Sequence, residues 1–146
     1  MKPIVELLGK RDAAIAKAMY RVAPDMMVFD GLQLLSDFEV GAMMVMQGDR
    51  LIGIFSERDY TRKVALQGRN SRETPVADIM TRDPITVAPH TGTRACMALM
   101  SQHKIRHLPV VDKDQVLGMI SIRDIMDDMI ADQEQTIAQL QTYINS

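Results

Sequence analysis

The chain has 146 residues, 47% of them apolar and 25% charged, and carries a formal net charge of −2. That length holds one ordinary domain or two small halves sharing a core, and the apolar share excludes a disordered chain. The charge lacks the basic footprint of a phosphate-gripping nucleic-acid binder, and a single cysteine, Cys96, excludes an internal disulfide or thiolate metal cluster.

In chain order, residues 1–19 read as an amphipathic helix whose apolar members are Ile4, Leu7, Leu8, Ile15 and Met19. Glu6, Asp12 and the lack of an apolar h-region set it apart from secretory and transit peptides. No run approaches the ~18 apolar residues of a membrane span. The chain is therefore expected to be cytoplasmic, with no membrane and no nucleic acid among its partners.

From residue 20 the sequence repeats itself at an offset of 65. Val22-Ala23-Pro24 lands on Val87-Ala88-Pro89, and Gly53, Ser56, Arg58 and Asp59 land on Gly118, Ser121, Arg123 and Asp124. Leu34, Ser36, Val45 and Asp49 also meet their like, without a gap. Each copy predicts the same order. A short extended segment ends in Ala-Pro (21–24; 85–89), because the residue before proline avoids helix. A helix follows, with Val28, Leu32, Leu35 and Phe38 on one face and Met97 and Met100 on its counterpart. Cys96 falls within the second of these as a buried small hydrophobe. Two apolar runs joined by a tight turn then read as a hairpin, AMMVM with LIGIF and LPVV with VLGMI.

After Ser56 and Ser121 the period returns to helical, through Tyr60, Val64 and Leu66 in one copy and Ile125, Met129 and Ile130 in the other. Between the copies, GRNSRET is a polar connection. Thr74-Pro75 opens a short helix, with threonine as its N-cap. The last helix runs on towards Ile144 with Met126, Met129, Gln133, Ile137, Leu140 and Ile144 stepping by three or four. It is expected to pack on a second subunit or back across the module. The division is thus 1–19 N-terminal helix, 20–67 first repeat, 68–78 connection, 79–131 second repeat and 132–146 helix extension. Thirteen methionines without a tryptophan point to a core filled by methionine.

The recurring Ser-x-Arg-Asp carries the chemistry. Ser-x-x-Asp at a helix start is a capping box, a complete structural explanation of Ser56/Asp59 and Ser121/Asp124. A cap has no need of Arg58 and Arg123. A helix N-terminus attracts phosphate, a guanidinium grips the same anion, and a carboxylate accepts hydrogen bonds from a ribose diol. Asp127, Asp128 and Asp132 read as a solvated acidic face. His107 lacks a second ligand at metal spacing, so no metal is expected, and nothing resembles a catalytic constellation.

Two β-α-β-β-α copies bearing these motifs, with IMTRDPITVAP, HKIRHLPVVD and GMISIRD, resemble a tandem CBS-domain pair, also called a Bateman module. The resemblance implies an α+β fold: two β-α-β-β-α repeats packed with pseudo-twofold symmetry, with N-terminal and extended C-terminal helices added. It also implies two clefts between the repeats and commonly a homodimer. By motif position, the second cleft would take Ile85, Thr86, Ala88, Arg106, His107, Pro109, Ser121, Arg123 and Asp124. The first would take Arg21, Ala23, Ala42, Ser56, Arg58 and Asp59, and it departs from the pattern where Arg21, Gly41, Ala42 and Met44 replace Thr86, Arg106, His107 and Pro109. The implied function is a non-catalytic regulatory module, not an enzyme. It would bind an adenine nucleotide, AMP ahead of ATP or NAD, as an energy or redox sensor acting on a regulated protein whose identity is unknown. A ligand-free scaffold of the same fold is the alternative.

Overall fold

A computed structural model describes residues 2–8 and 21–145, with side chains to residue 144. The first repeat comprises β1 (Arg21–Val22), α2 (Val28–Phe38), β2 (Ala42–Gln47), β3 (Arg50–Ser56) and α3 (Glu57–Tyr60), preceded by α1 (Val5–Leu8). The second comprises β4 (Thr81–Arg82), α4 (Thr93–His103), β5 (His107–Asp112), β6 (Gln115–Ser121) and α5 (Ile122–Asn145). One sheet has the order β1-β2-β3-β4, with β1 parallel to β2 and the others antiparallel; β5 and β6 form the second.

The repeat is geometric as well as verbal. Val22 pairs in parallel with Val45, and Val87 with Val110. The hairpin registers shift at Val45/Met46 and at Val110/Val111. Glu39 and Lys104 close α2 and α4 in the left-handed conformation, at φ 55° and 56°. Each hairpin turns on two residues, and Lys113 and Asp114 both have positive φ, as a type I′ turn requires.

The near-continuous apolar run of β2 has a direct cause: both of its faces are covered. Met43 and Val45 enter the first repeat's core with Val28, Leu35 and Phe55. Ala42, Met44 and Met46 enter the seam between the repeats, where they meet Val116 and Met119. Methionine, unbranched and adaptable, fills this irregular seam. Cys96 is fully buried with Leu108, Val110, Ile120 and Ile125 in the second repeat's core, and burial pushes its thiol pKa up.

Two short straps cross between the repeats, a feature absent from the sequence reading. Residues 74–80, which precede the second repeat, bury Val76, Ile79 and Met80 in the first repeat's core. Residues 2–8, which precede the first repeat, bury Ile4 and Leu7 in the second's. Their hydrogen bonds match one for one. Ile4 N donates to Thr91 O and Thr93 N to Lys2 O; Val76 N donates to Met26 O and Val28 N to Thr74 O. The repeated glycine of the motif marks each crossing. A Cβ on Gly53 would lie 2.7 Å from Met80 Sδ and 2.9 Å from Thr81 O, and one on Gly118 would lie 2.9 Å from Leu8 Cδ2.

Of the helix expected over 1–19, α1 covers Val5–Leu8, while residues 9–19, Ile15 and Met19 among them, lie outside the described residues. Other expectations are corrected. Thr74 caps no helix: its hydroxyl donates to Asn70 O, and a 3-10 turn spans Val76–Asp78. After α3 the chain widens into a π turn over Thr61–Ala65, which keeps Val64 inside and leaves Leu66 74% exposed. Met129 and Ile130 are exposed although Ile125 is buried. Asp128 is buried, not solvated, and pairs with Lys2 at 3.1 Å, which pins the first strap to α5.

Candidate functional site

Both Ser-x-Arg-Asp segments start a helix as a reciprocal cap. Ser56 N donates to Asp59 Oδ2 at 3.1 Å and Asp59 N to Ser56 Oγ at 3.2 Å; for Ser121 and Asp124 the distances are 2.8 and 3.1 Å. The first carboxylate is the more enclosed. Asp59 is buried, and its Oδ1 also accepts from Thr81 Oγ1 at 3.1 Å and faces Lys63 Nζ at 3.1 Å. Lys63 donates in turn to Ile79 O at 2.9 Å, which ties this helix start to the second strap.

A cleft of about 420 Å³ opens in front of Asp59. The first repeat contributes Gly41, Ala42, Ile54, Ser56, Glu57, Arg58 and Asp59 to its lining. The second repeat contributes Ile105, Arg106 and His107, together with Thr81, Asp83, Pro84 and Ile85 from its leading segment. The site is therefore composite. Residues assigned by sequence to separate clefts meet here: Ala42, Ser56, Arg58 and Asp59 with Ile85, Arg106 and His107. Gly41 and Ala42 explain the departure of the first copy, because they stand opposite the pair they replace. A Cβ on Gly41 would lie 3.6 Å from His107 Cε1, an ordinary contact distance, so the imidazole sits directly against this backbone.

Arg58 Nη1 donates to Lys104 O at 2.7 Å, so its guanidinium rests on the C-terminal cap of α4 at the rim. Its counterpart Arg123 is 87% exposed, 4.0 Å from Asp127. His107 is held below the usual histidine range by burial first; the Asp124 carboxylate opposes this and Arg106 adds to it. The imidazole is thus neutral near pH 7 and able to accept as well as donate.

The remaining predicted residues lie elsewhere. Thr86 lines a separate open groove of about 700 Å³ at the hairpin turns, with Asp49, Arg50, Asp83 and Asp114. Pro109 is buried in β5, where its carbonyl accepts from Val87 N, and Ala88 is half-buried beside it in sequence. Ser121 pairs with His107 across the hairpin. Arg21 lies on β1 opposite Met44, its Nε enclosed without a hydrogen-bond partner among the described residues; Ala23 follows, exposed. Thr81, Asp83 and Pro84, missed by the sequence reading, are brought in by the crossing of the joining segment over β3. The TRDP wording just before Ile85 was the available signal.

Among the described residues no group of acids, histidines and cysteine could hold a metal ion, and no helix is long and apolar enough to cross a membrane. The profile of the CBS domain matches twice, at residues 13–66 and 76–131. A CBS domain-containing protein of Arabidopsis thaliana, named as mitochondrial, is 38% identical over 122 residues, which are 80% of this chain and 59% of that protein. The chain thus spans under two thirds of that relative's length. A Burkholderia ambifaria structure described as a putative signal-transduction protein with CBS domains superposes with a TM-score of 0.84 at 40% identity, covering 90% of this chain and 96% of that one. A Pyrobaculum aerophilum CBS domain protein, solved in complex with AMP, superposes with a TM-score of 0.72 at 28% identity, covering 84% and 89%. With two matched domains over most of its length and the fold they share, the chain belongs to the CBS domain family, as a tandem pair.

Proposed function

We propose that this chain is a non-catalytic regulatory module that binds an adenosine-containing nucleotide, AMP first, in the composite cleft. The observation that carries the reading is the meeting of a Ser-x-Arg-Asp helix start with Arg106 and His107 around apolar walls from Ile54, Ile85 and Ile105. The apolar walls suit a purine face, Arg106 and Arg58 suit a phosphate, and Asp59 suits a ribose diol. The AMP complex of the Pyrobaculum relative supports the choice of ligand.

A ribose must compete at Asp59 with Thr81 and Lys63, which already hold one carboxylate oxygen. Binding would therefore disturb the contacts of Asp59 with Thr81 and with Lys63, whose ammonium also holds Ile79 O on the second strap, a route by which occupancy alters how the repeats sit. The cytoplasmic location and the regulated partner expected from the sequence belong to this proposal.

The test is thermal shift and calorimetry with AMP, ADP, ATP and NAD on the nucleotide-free chain, Arg106→Ala and Asp124→Ala. A bound nucleotide raises the unfolding temperature by mass action. Arg106→Ala is expected to weaken binding at least about tenfold, or ~1.4 kcal/mol, while Asp124→Ala changes it less. A response lost in Asp124→Ala but kept in Arg106→Ala would move the site to the other helix start. A flat panel would leave a ligand-free scaffold.

A further inference from the structure

The carboxylate of Asp59 has partners on both oxygens before any ligand arrives. Oδ2 accepts from Ser56 N at 3.1 Å and from Ser56 Oγ at 2.9 Å. Oδ1 accepts from Thr81 Oγ1 at 3.1 Å and faces the Lys63 ammonium, also at 3.1 Å. A carboxylate has about four lone-pair sites, so a ribose hydroxyl finds a place only when one of these partners leaves.

The partners are not equally held. Ser56 N and Oγ belong to the cap, and Ser56 Oγ accepts from Asp59 N in return. Thr81 is fixed by its strand, where it pairs with Ile54 of β3. Lys63 has a second anchor. Its Nζ donates to Ile79 O at 2.9 Å, and its side chain is 44% exposed, so water can stand in for the carboxylate. An ion pair this open is held weakly, and the ammonium keeps an acceptor when it parts. Lys63 is also peculiar to the first copy. At the offset of 65 it falls on Asp128, a residue of opposite charge that pairs with Lys2.

We propose that Lys63 is a specificity-determining residue of this cleft, an internal competitor for the ribose. It holds Asp59 Oδ1 while the cleft is empty and yields that oxygen to the diol when a nucleotide binds. The proposal rests on the nucleotide reading and adds what sets the cleft's preference for ribose. Displacing the ammonium opposes only the contact made by the diol; the contacts of base and phosphate are untouched. Lys63 therefore lowers affinity for a ribonucleotide by a modest factor and leaves affinity for a sugar without the diol as it was.

The test is calorimetry on the nucleotide-free full chain with AMP and with 2′,3′-dideoxy-AMP, which keeps base and phosphate and lacks the diol. Lys63→Met should bind AMP about fivefold more tightly than the native chain does, with dideoxy-AMP unchanged. Lys63→Gln, which keeps a donor for Ile79 O and so guards the fold, should move the same way. Lys63→Arg, which keeps the charge, should stay near native. A lysine that only stabilises the fold would lower the unfolding temperature and leave the ratio of the two affinities where it was. That result would overturn the proposal, as would a loss of both ligands together in Lys63→Met and Lys63→Gln, which would make the ammonium a direct ligand contact. Either outcome leaves the nucleotide reading standing, whereas no binding of AMP or dideoxy-AMP by any of the four chains would remove both.

Discussion

His107 shows how much one side chain depends on parts of the chain far from it. Its imidazole is enclosed near Asp124 and Arg106, and burial holds its pKa below the ordinary 6.5. The unfolded chain therefore takes up this proton first as pH falls, so the stability His107 contributes is full above about pH 6.5 and declines below it. Thermal unfolding between pH 7 and pH 5 should show a steeper fall in midpoint for the native chain than for His107→Gln; parallel profiles would remove this residue from the acid sensitivity. What could be read at this scale was local. Ser56 and Asp59, three residues apart, declare their cap in the sequence because both partners sit in one turn. Asp128 looked solvated because its partner, Lys2, is 126 residues away, and Thr81 reaches Asp59 across 22.

Among the elements, hairpins and capped helices were legible from alternation, turn residues and the offset of 65. The straps were not. They correspond at an offset of 72, Pro3 with Pro75 and Ile4 with Val76, and proline is their shared residue. Alignment at a single offset passes over them, and so brief an apolar segment has no period of its own to declare which repeat it covers. The motif glycine takes its meaning from them. At Gly53 the obstacle to a Cβ includes the backbone oxygen of Thr81, which cannot swing aside as a side chain can. Gly53→Ala should therefore destabilise the fold by about 1–3 kcal/mol in urea titration, as overpacked cores do. A change below about 0.5 kcal/mol would mean that the strap has room to lift.

For the whole molecule, the family and the pseudo-symmetric α+β pair were legible because the motif occurs twice in register. The make-up of the cleft was not, since sequence order groups Arg106 and His107 with their own repeat while the fold aims them at the other. Each repeat completes its core with a strap from the segment leading into its neighbour, so the two should unfold together. Calorimetry is expected to give one transition with equal calorimetric and van't Hoff enthalpies, and residues 68–131 expressed alone should lack cooperative unfolding; two resolved transitions would mean that the straps couple weakly. The same crossing orders events during synthesis. The first repeat finds all of its core once residues 74–80 have left the ribosome, whereas Ile4 and Leu7, translated before either repeat, have no cavity to fill until β6 and α5 exist. A segment translated ahead of both repeats is thus among the last to settle, and through that interval it is an exposed apolar stretch open to capture by chaperones.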